Sequence, residues 1–380
     1  MIPLSAPNIC GNEWQYIKEC LDTGWVSSVG SYVSKFEKMF AEIVGSKYAI
    51  ATCNGTSALH ISMLTLGLNQ SHEVLVPTIT FAATINAVHY CNASPIFFDC
   101  DKYFNLDLDS VEQFLKEECK ENAGQLVNKT SGRPIWGIVP VHIFGTTLDM
   151  PRVIELCNKY KIKCLEDAAE SLGSYWGTKH SGTFSELGCF SFNGNKIITT
   201  GGGGMVVTDS ESLATKVKYL TTQAKDDSVR FIHNEIGYNY RLTNIQAAMG
   251  VAQLEQLGSY LDKKKQIYSK YKNAFSKCKN IHVVDVNESN KCNYWLTNIG
   301  INNNCKLTAM DIVNKLSTKQ IESRPIWYPN HLQVTNKNSQ SYKITKASEY
   351  VDKTVSLPSS VGLSEQQQNT VIEAVLEVIR

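Results

Sequence analysis

The sequence predicts an α/β fold: a mostly parallel sheet between helices, followed by a smaller α+β domain toward the C-terminus. Three observations lead there. Short apolar runs alternate with helical patterns through the first two-thirds of the 380 residues, the arrangement expected of strands joined by crossover helices. That pattern changes after an amphipathic segment running from Asn244 to about Lys272. Hydrophobic residues at 43% and charged residues at 19% supply a sizeable core and argue against disorder.

Taken in order, the strand candidates are KYAIAT (47–52), EVLV (73–76), PIFFD (95–99), IWGIVPV (135–141), IKCLE (162–166), GCFSF (188–192) and GMVVT (204–208). Segments with helical periodicity, such as 56–68 and 149–161, lie between them. Only eleven residues separate the last two runs, short for a helical crossover, so that pair is expected to be antiparallel. The polar stretch 116–133 reads as an insertion or surface connection without evident chemistry. Asn244 to Lys272 reads as one long helix, 292–301 as a strand, 309–318 as a helix and 365–379 as a closing helix. The expected division is a large domain over 1–255 and a small one over 256–380.

Composition narrows the function. Lys and Arg number 37 against 36 acidic residues, so no basic excess points to nucleic acid or an anionic membrane. The nearest cysteines, Cys157 and Cys164, are seven residues apart, which excludes CxxC redox and zinc-knuckle spacings. No HExxH occurs among the eight histidines, so no metal site is expected. No apolar run reaches the ~18 residues that span a bilayer, and the first residues lack a basic flank before an apolar core. These features lead us to expect a cytoplasmic protein.

In open α/β sheets ligands gather at the carboxyl ends of strands. After KYAIAT comes Asn54-Gly55, then Thr56 and Ser57 at a helix start, where free amides and the helix dipole suit a phosphate. After IKCLE comes Asp167, and after GCFSF comes Lys196, ahead of four glycines. Each has a simpler reading: an N-cap, a structural ion pair, a solvated loop lysine. Together a phosphate cradle, a carboxylate and an amine at three strand ends are what pyridoxal phosphate requires. The glycines satisfy no GxGxxG register, and Asn195 stands before Lys196 where a Walker loop needs glycine.

These residues, with TGWVSSVGSYVSKFEKMFAEIVGSKYAI, CNGTSALH, VPTITFAATINAV, PVHIFG, LEDAAESLGS, FSFNGNKIITTGGGGMVVT, IGYNYRLTNIQAAMGVAQLEQL, RPIWYPNHLQ and LPSSVGLSEQQ, carry a resemblance over essentially the full length. The chain resembles the DegT/DnrJ/EryC1/StrS sugar aminotransferases, fold-type-I pyridoxal phosphate enzymes. Within the family it looks most like the aminotransferases of the legionaminic acid pathway. The resemblance implies that L-glutamate donates an amino group to a UDP- or GDP-linked 4-keto-6-deoxy-N-acetylhexosamine. Alternatives are GDP-4-keto-6-deoxymannose, as in perosamine synthesis, a ulosonic acid precursor, or a non-catalytic cofactor-binding module. Sugar 3-dehydrases are disfavoured, since those relatives carry histidine at the lysine position.

By the same resemblance Lys196 is the Schiff-base lysine and Asp167 faces the pyridine nitrogen. Glu170 lies near the phenolic oxygen, Phe81 stacks on the ring, and Thr56, Ser57 and Ser191 hold the phosphate. Asn239 matches an asparagine that reaches the neighbouring subunit's cofactor, implying a homodimer with shared sites. Trp25, Ser27, Arg230 and His331 are expected along the nucleotide-sugar cleft. One departure stands out: many relatives read Thr-Gly-Glu-Gly-Gly after the lysine, whereas Gly202 occupies the glutamate position here.

Overall fold

The computed structural model describes residues 1–287 and 290–380. The described residues form twelve α-helices: α1 Glu13–Thr23, α2 Ser31–Val44, α3 Gly55–Thr65, α4 Ala82–Tyr90, α5 Leu108–Glu117, α6 Met150–Tyr160, α7 Glu211–Thr221, α8 Asn244–Glu255, α9 Leu257–Phe275, α10 Ala309–Thr318, α11 Lys346–Lys353 and α12 Glu365–Val378. The main sheet takes β1 Tyr48–Thr52, β2 Glu73–Pro77, β3 Ser94–Phe98, β4 Ile135–Ile138, β5 Lys163–Asp167, β6 Leu187–Ser191 and β7 Gly204–Thr208 from the first two-thirds of the chain. A smaller sheet takes β8 Ile281–Val283, β9 Thr297–Ile301, β10 Arg324–Pro325 and β12 Thr354–Leu357, while β11 Gln340–Tyr342 joins the main one.

Main-sheet order is β1-β7-β6-β5-β4-β2-β3-β11. Pairing is parallel from β6 through β5, β4, β2 and β3 to β11. β7 runs antiparallel to both β6 and β1, as the short connection before it requires.

Both faces of the sheet are covered, and strand alternation decides which side chain goes where. Cys189 and Val206 face one side with Val74, Val76 and the apolar residues of α3, α4 and α7. Phe190, Met205 and Val207 face the other, against α2 and α8. There Phe36 and Phe40 meet Phe190 and Phe192 edge to face at 5.0 to 5.3 Å. Farther along that face Leu75, Ile96 and Phe98 pack on α5 and α6. Each such fully buried side chain contributes about 1.5–3 kcal/mol, which anchors the strand ends that carry the site.

The expected single helix from 244 to 272 is two helices, α8 and α9, broken at Gln256, whose amide donates to Gln253 O at 3.1 Å. The cause is packing. Ala247, Ala248, Val251 and Leu254 belong to the main-sheet core, whereas Ile267, Tyr268, Tyr271 and Phe275 belong to the core of the small sheet. The strand expected over 292–301 is confined to Thr297–Ile301. The polar stretch 116–133 contains a hairpin, 119–122 paired antiparallel with 125–128. Among the described residues no helix is long and apolar enough to cross a membrane, and no cluster of metal-ligating residues occurs.

Candidate active site

A cavity of about 340 Å³ opens at the carboxyl ends of the central strands, lined by Thr56, Phe81, Asp167, Glu170, Ser191 and Lys196 among others. Six of the residues singled out from sequence therefore share one space.

At one side lies the start of α3. Asn54 caps it, accepting the Ser57 amide at 2.7 Å. The amides of Gly55 and Thr56, the first two of the helix, have no intrahelical acceptor, and both residues line the cavity. Ser191, at the end of β6, sits directly against this turn: a Cβ on Gly55 would lie 2.8 Å from Ser191 Cβ. Ser57 belongs to the cap itself, its Oγ 3.2 Å from Cys53 Sγ and outside the cavity lining.

Asp167 closes β5 with 3% of its surface exposed. Thr84 Oγ1 donates to its Oδ2 at 2.7 Å, and the Ala169 amide to its Oδ1 at 3.1 Å. Burial raises its carboxyl above the ordinary range, against the opposing pull of these donors, Lys196 and His142. Glu170 accepts the Phe144 amide at 2.8 Å. Burial pushes it up to about 7, in spite of Lys196.

Lys196 Nζ stands 3.8 Å from Glu170 Oε1 and 4.0 Å from the centroid of the Trp295 ring. Burial lowers its pKa, opposed by Glu170 and Asp167. Less of the amine is therefore locked as ammonium, which is what a nucleophilic lysine needs. Phe144, with φ 53°, stacks on Trp327 at 4.7 Å, and both aromatics line the cavity with Trp295.

The glycine run has distinct local causes. Gly201 takes φ +78°, and a Cβ on Gly204 would meet Asn54 O at 2.5 Å, so the returning strand passes tightly under the helix start. Gly202 lines the cavity with open space around it.

Phe81, 59% exposed, precedes α4 and offers an uncovered aromatic face at the cavity. The remaining sequence candidates lie outside this lining. Asn239 is exposed beside Thr222. Trp25 borders a separate cleft with Lys218 and Arg241, and Ser27 O accepts the Asn244 amide at 2.7 Å. Arg230 is solvent-facing and paired with Asp227 at 2.9 Å. His331 binds Thr78 Oγ1 at 2.7 Å, its pKa lowered by burial.

Sequence reasoning missed Thr84, Trp295 and Trp327. The hydroxyl of Thr84 is one helical turn into the segment opened by Phe81, and that spacing was a usable signal; the tryptophans carried none.

The cavity fits pyridoxal phosphate. It offers unpaired amides and the Thr56 and Ser191 hydroxyls for a phosphate, a buried carboxylate that a protonated ring nitrogen would stabilise, and a deprotonation-prone amine. Comparison with known proteins agrees. The profile of the DegT/DnrJ/EryC1/StrS aminotransferase family matches residues 7–376. The chain is 37% identical to the GDP-perosamine synthase of Escherichia coli O157:H7, across 99% of this chain and 98% of that protein. To the GDP-perosamine synthase of Caulobacter vibrioides it is 35% identical, across 100% and 98%. The crystal structure of a DegT DnrJ EryC1 StrS aminotransferase from Brucella abortus superposes with a TM-score of 0.88 at 25% identity, covering 97% of this chain and 95% of that one. The chain belongs to the DegT/DnrJ/EryC1/StrS aminotransferase family and is a pyridoxal phosphate-dependent sugar aminotransferase.

Proposed function

We propose that this enzyme moves the amino group of L-glutamate to C4 of a nucleotide-linked 4-keto-6-deoxy-N-acetylhexosamine, in the biosynthesis of legionaminic acid-type surface glycans. The observation that carries the chemistry is Lys196 Nζ, 3.8 Å from Glu170 in a cavity that also holds Asp167 and the α3 start. The substrate rests on the match of TGWVSSVGSYV and NGNKIITTGGGGM to the legionaminic branch.

Pyridoxal phosphate, when bound, supplies an electron sink and the site that carries the amino group between the two substrates. Thr56 and Ser191 would hold its phosphate at the α3 start, Phe81 would cover its ring, and Ser57, expected at the phosphate too, would serve through the helix cap it shares with Asn54. Asp167 would keep the ring nitrogen protonated, with Thr84 orienting the carboxylate. Glu170 would lie near the phenolic oxygen. With the cofactor bound, Lys196 would hold it through Nζ, and that amine, when free, would accept the proton from Cα of glutamate. Trp25, Ser27, Arg230 and His331 line the nucleotide-sugar cleft once two chains associate, and Asn239 reaches the partner's phosphate. In this reading residues 1–255 form the cofactor-binding domain and 256–380 the smaller one, and the homodimer works in the cytoplasm.

The GDP-perosamine synthases at 35% and 37% identity favour a second reading, with GDP-4-keto-6-deoxymannose as acceptor. A comparison of kcat/KM for the two keto-sugars at saturating glutamate decides between them. A site built for the acetamido group should prefer that sugar by about 10²-fold or more; preference for the mannose derivative moves the enzyme to the perosamine reading. Lys196→Ala should abolish turnover on either, together with the cofactor adduct that borohydride fixes on the chain. Full turnover by that variant would remove covalent catalysis from the account.

A further inference from the structure

Lys264, in α9, is 2% exposed, and among the described residues no carboxylate lies within ion-pair distance of it. Its Nζ donates to two backbone carbonyls, Trp295 O at 2.8 Å and Ser359 O at 2.5 Å. A neutral amine has two N–H donors, and the two carbonyls accept both. Burial alone lowers its pKa to about 7, consistent with that match. Packing would be served as well by methionine, without the cost of burying an amine. The polar head is therefore explained by what it grips.

One of those grips leads to the reactive amine. Trp295 lies in the segment between Asn293 and β9, with 2% exposure, and its indole face stands 4.0 Å from Lys196 Nζ. The ring edge is tied as well, Nε1 donating to Asn195 O at 2.6 Å, next to Lys196 in the chain. Ser359, the other grip, accepts the Thr297 amide on its Oγ at 3.0 Å and donates its own amide to Leu4 O at 2.8 Å. Leu4 and Trp295 both line the cavity.

We propose that Lys264 is a positioning residue that holds the indole of Trp295 over Lys196 Nζ, so that the ring face and the two acids Glu170 and Asp167 together set the protonation of the working amine. An aromatic face favours the ammonium form, and more strongly where water is excluded. Lys196 is also opposed by burial, and Arg324 lines the same cavity. Releasing Trp295 therefore lowers the Lys196 pKa further. The inference rests on reading Lys196 as the working amine.

The test reads Lys196 directly. In the full-length, cofactor-free protein, the pH dependence of acetic anhydride labelling at Lys196, followed by mass spectrometry, gives its pKa without any substrate. Lys264→Met should lower that value by about 0.5–1 unit, and Trp295→Leu by at least as much. The double variant should show no more than the Trp295→Leu shift, because both changes remove one interaction. Lys264→Gln, with one donor on a shorter stem, should shift it less in the same direction and carries the test if Lys264→Met does not fold. With the cofactor bound, the acidic limb of the kcat profile should move with the labelling pKa while KM for the keto-sugar holds. A Lys196 pKa within about 0.2 units of wild type in whichever variant folds, or shifts that simply add, reduces Lys264 to a structural residue. That result leaves Lys196 as nucleophile untouched, whereas an active Lys196→Ala enzyme would remove the nucleophile and leave the clamp standing.

Discussion

Glu166 and Asp167 are consecutive in β5, and their buried carboxylates stand in opposite electrostatic surroundings. Glu166 accepts from the amides of Gly182, Phe184 and Ser185, from Ser185 Oγ, and lies 3.1 Å from His142 Nε2. Leu148 donates to His142 Nδ1, which leaves the Nε2 proton for Glu166. Burial raises the Glu166 pKa but His142 and these donors outweigh it, so the net shift is downward. Asp167, facing the cavity, has two donors and a net upward shift. One carboxylate is satisfied by the protein; the other is left for a ligand.

Glu166→Gln should consequently be a stability variant. It places an amide among donors and should cost about 3 kcal/mol or more in urea unfolding at pH 7. Because the folded pKa lies below the unfolded value of 4.5, the contribution of Glu166 is present above that value and lost as pH falls through the folded pKa. The deficit of the variant should narrow in acid; a deficit constant with pH would mean that charge is irrelevant there.

Asp167→Asn should do the reverse. Thr84 can still donate to the amide oxygen and the cost of burying a charge disappears, while the Ala169 amide loses its acceptor, so the melting temperature should change little. Turnover should fall by roughly 10²–10³ while the cofactor still absorbs in the visible. Transamination at the native rate would make Asp167 a structural acceptor only.

Glu170→Gln keeps an oxygen for the Phe144 amide and removes a carboxyl that titrates at about 7. A folded pKa above the unfolded 4.5 means that the cost of ionising Glu170 sets in as pH rises from 4.5 to about 7. In cofactor-free protein the variant should gain on wild type between pH 5 and pH 8, by on the order of 1 kcal/mol. Equal pH profiles for the two proteins would show that Glu170 ionises normally.

Mixing Lys196→Ala chains with Asn239→Ala chains tests the shared site. Each mixed dimer would contain one complete site, so random exchange should restore about a quarter of wild-type activity per site. Verified exchange without recovery would confine Asn239 to its own chain.

The strand ends were legible in the sequence because apolar runs broken by Asn54, Asp167 and Lys196 state where a buried strand meets polar chemistry. The antiparallel β7 was legible from a connection too short for a helix. What was hidden depended on contacts distant in sequence. Nothing local in CNYWL says that Trp295 leaves the strand to stand over Lys196; that follows from Lys264 and Asn195, 31 and 100 residues away. The break at Gln256 was equally hidden, since the helical period continues through it and only the change of core beneath enforces it. Trp25, Ser27, Asn239, Arg230 and His331 came from resemblance, and a single chain leaves them apart from the cavity.

β11 has a consequence for how the chain must be made. Residues 340–342 pair in parallel with Ile96, Phe97 and Phe98, closing the side of β3 away from β2. More than two hundred residues emerge from the ribosome between the two strands. Until the later one arrives, β3 presents an unpaired, strongly apolar edge of the kind that recruits other chains. Contacts so distant in sequence also form slowly. The nascent protein is thus exposed to aggregation for most of its synthesis, and a fragment ending at residue 255 carries that open edge permanently.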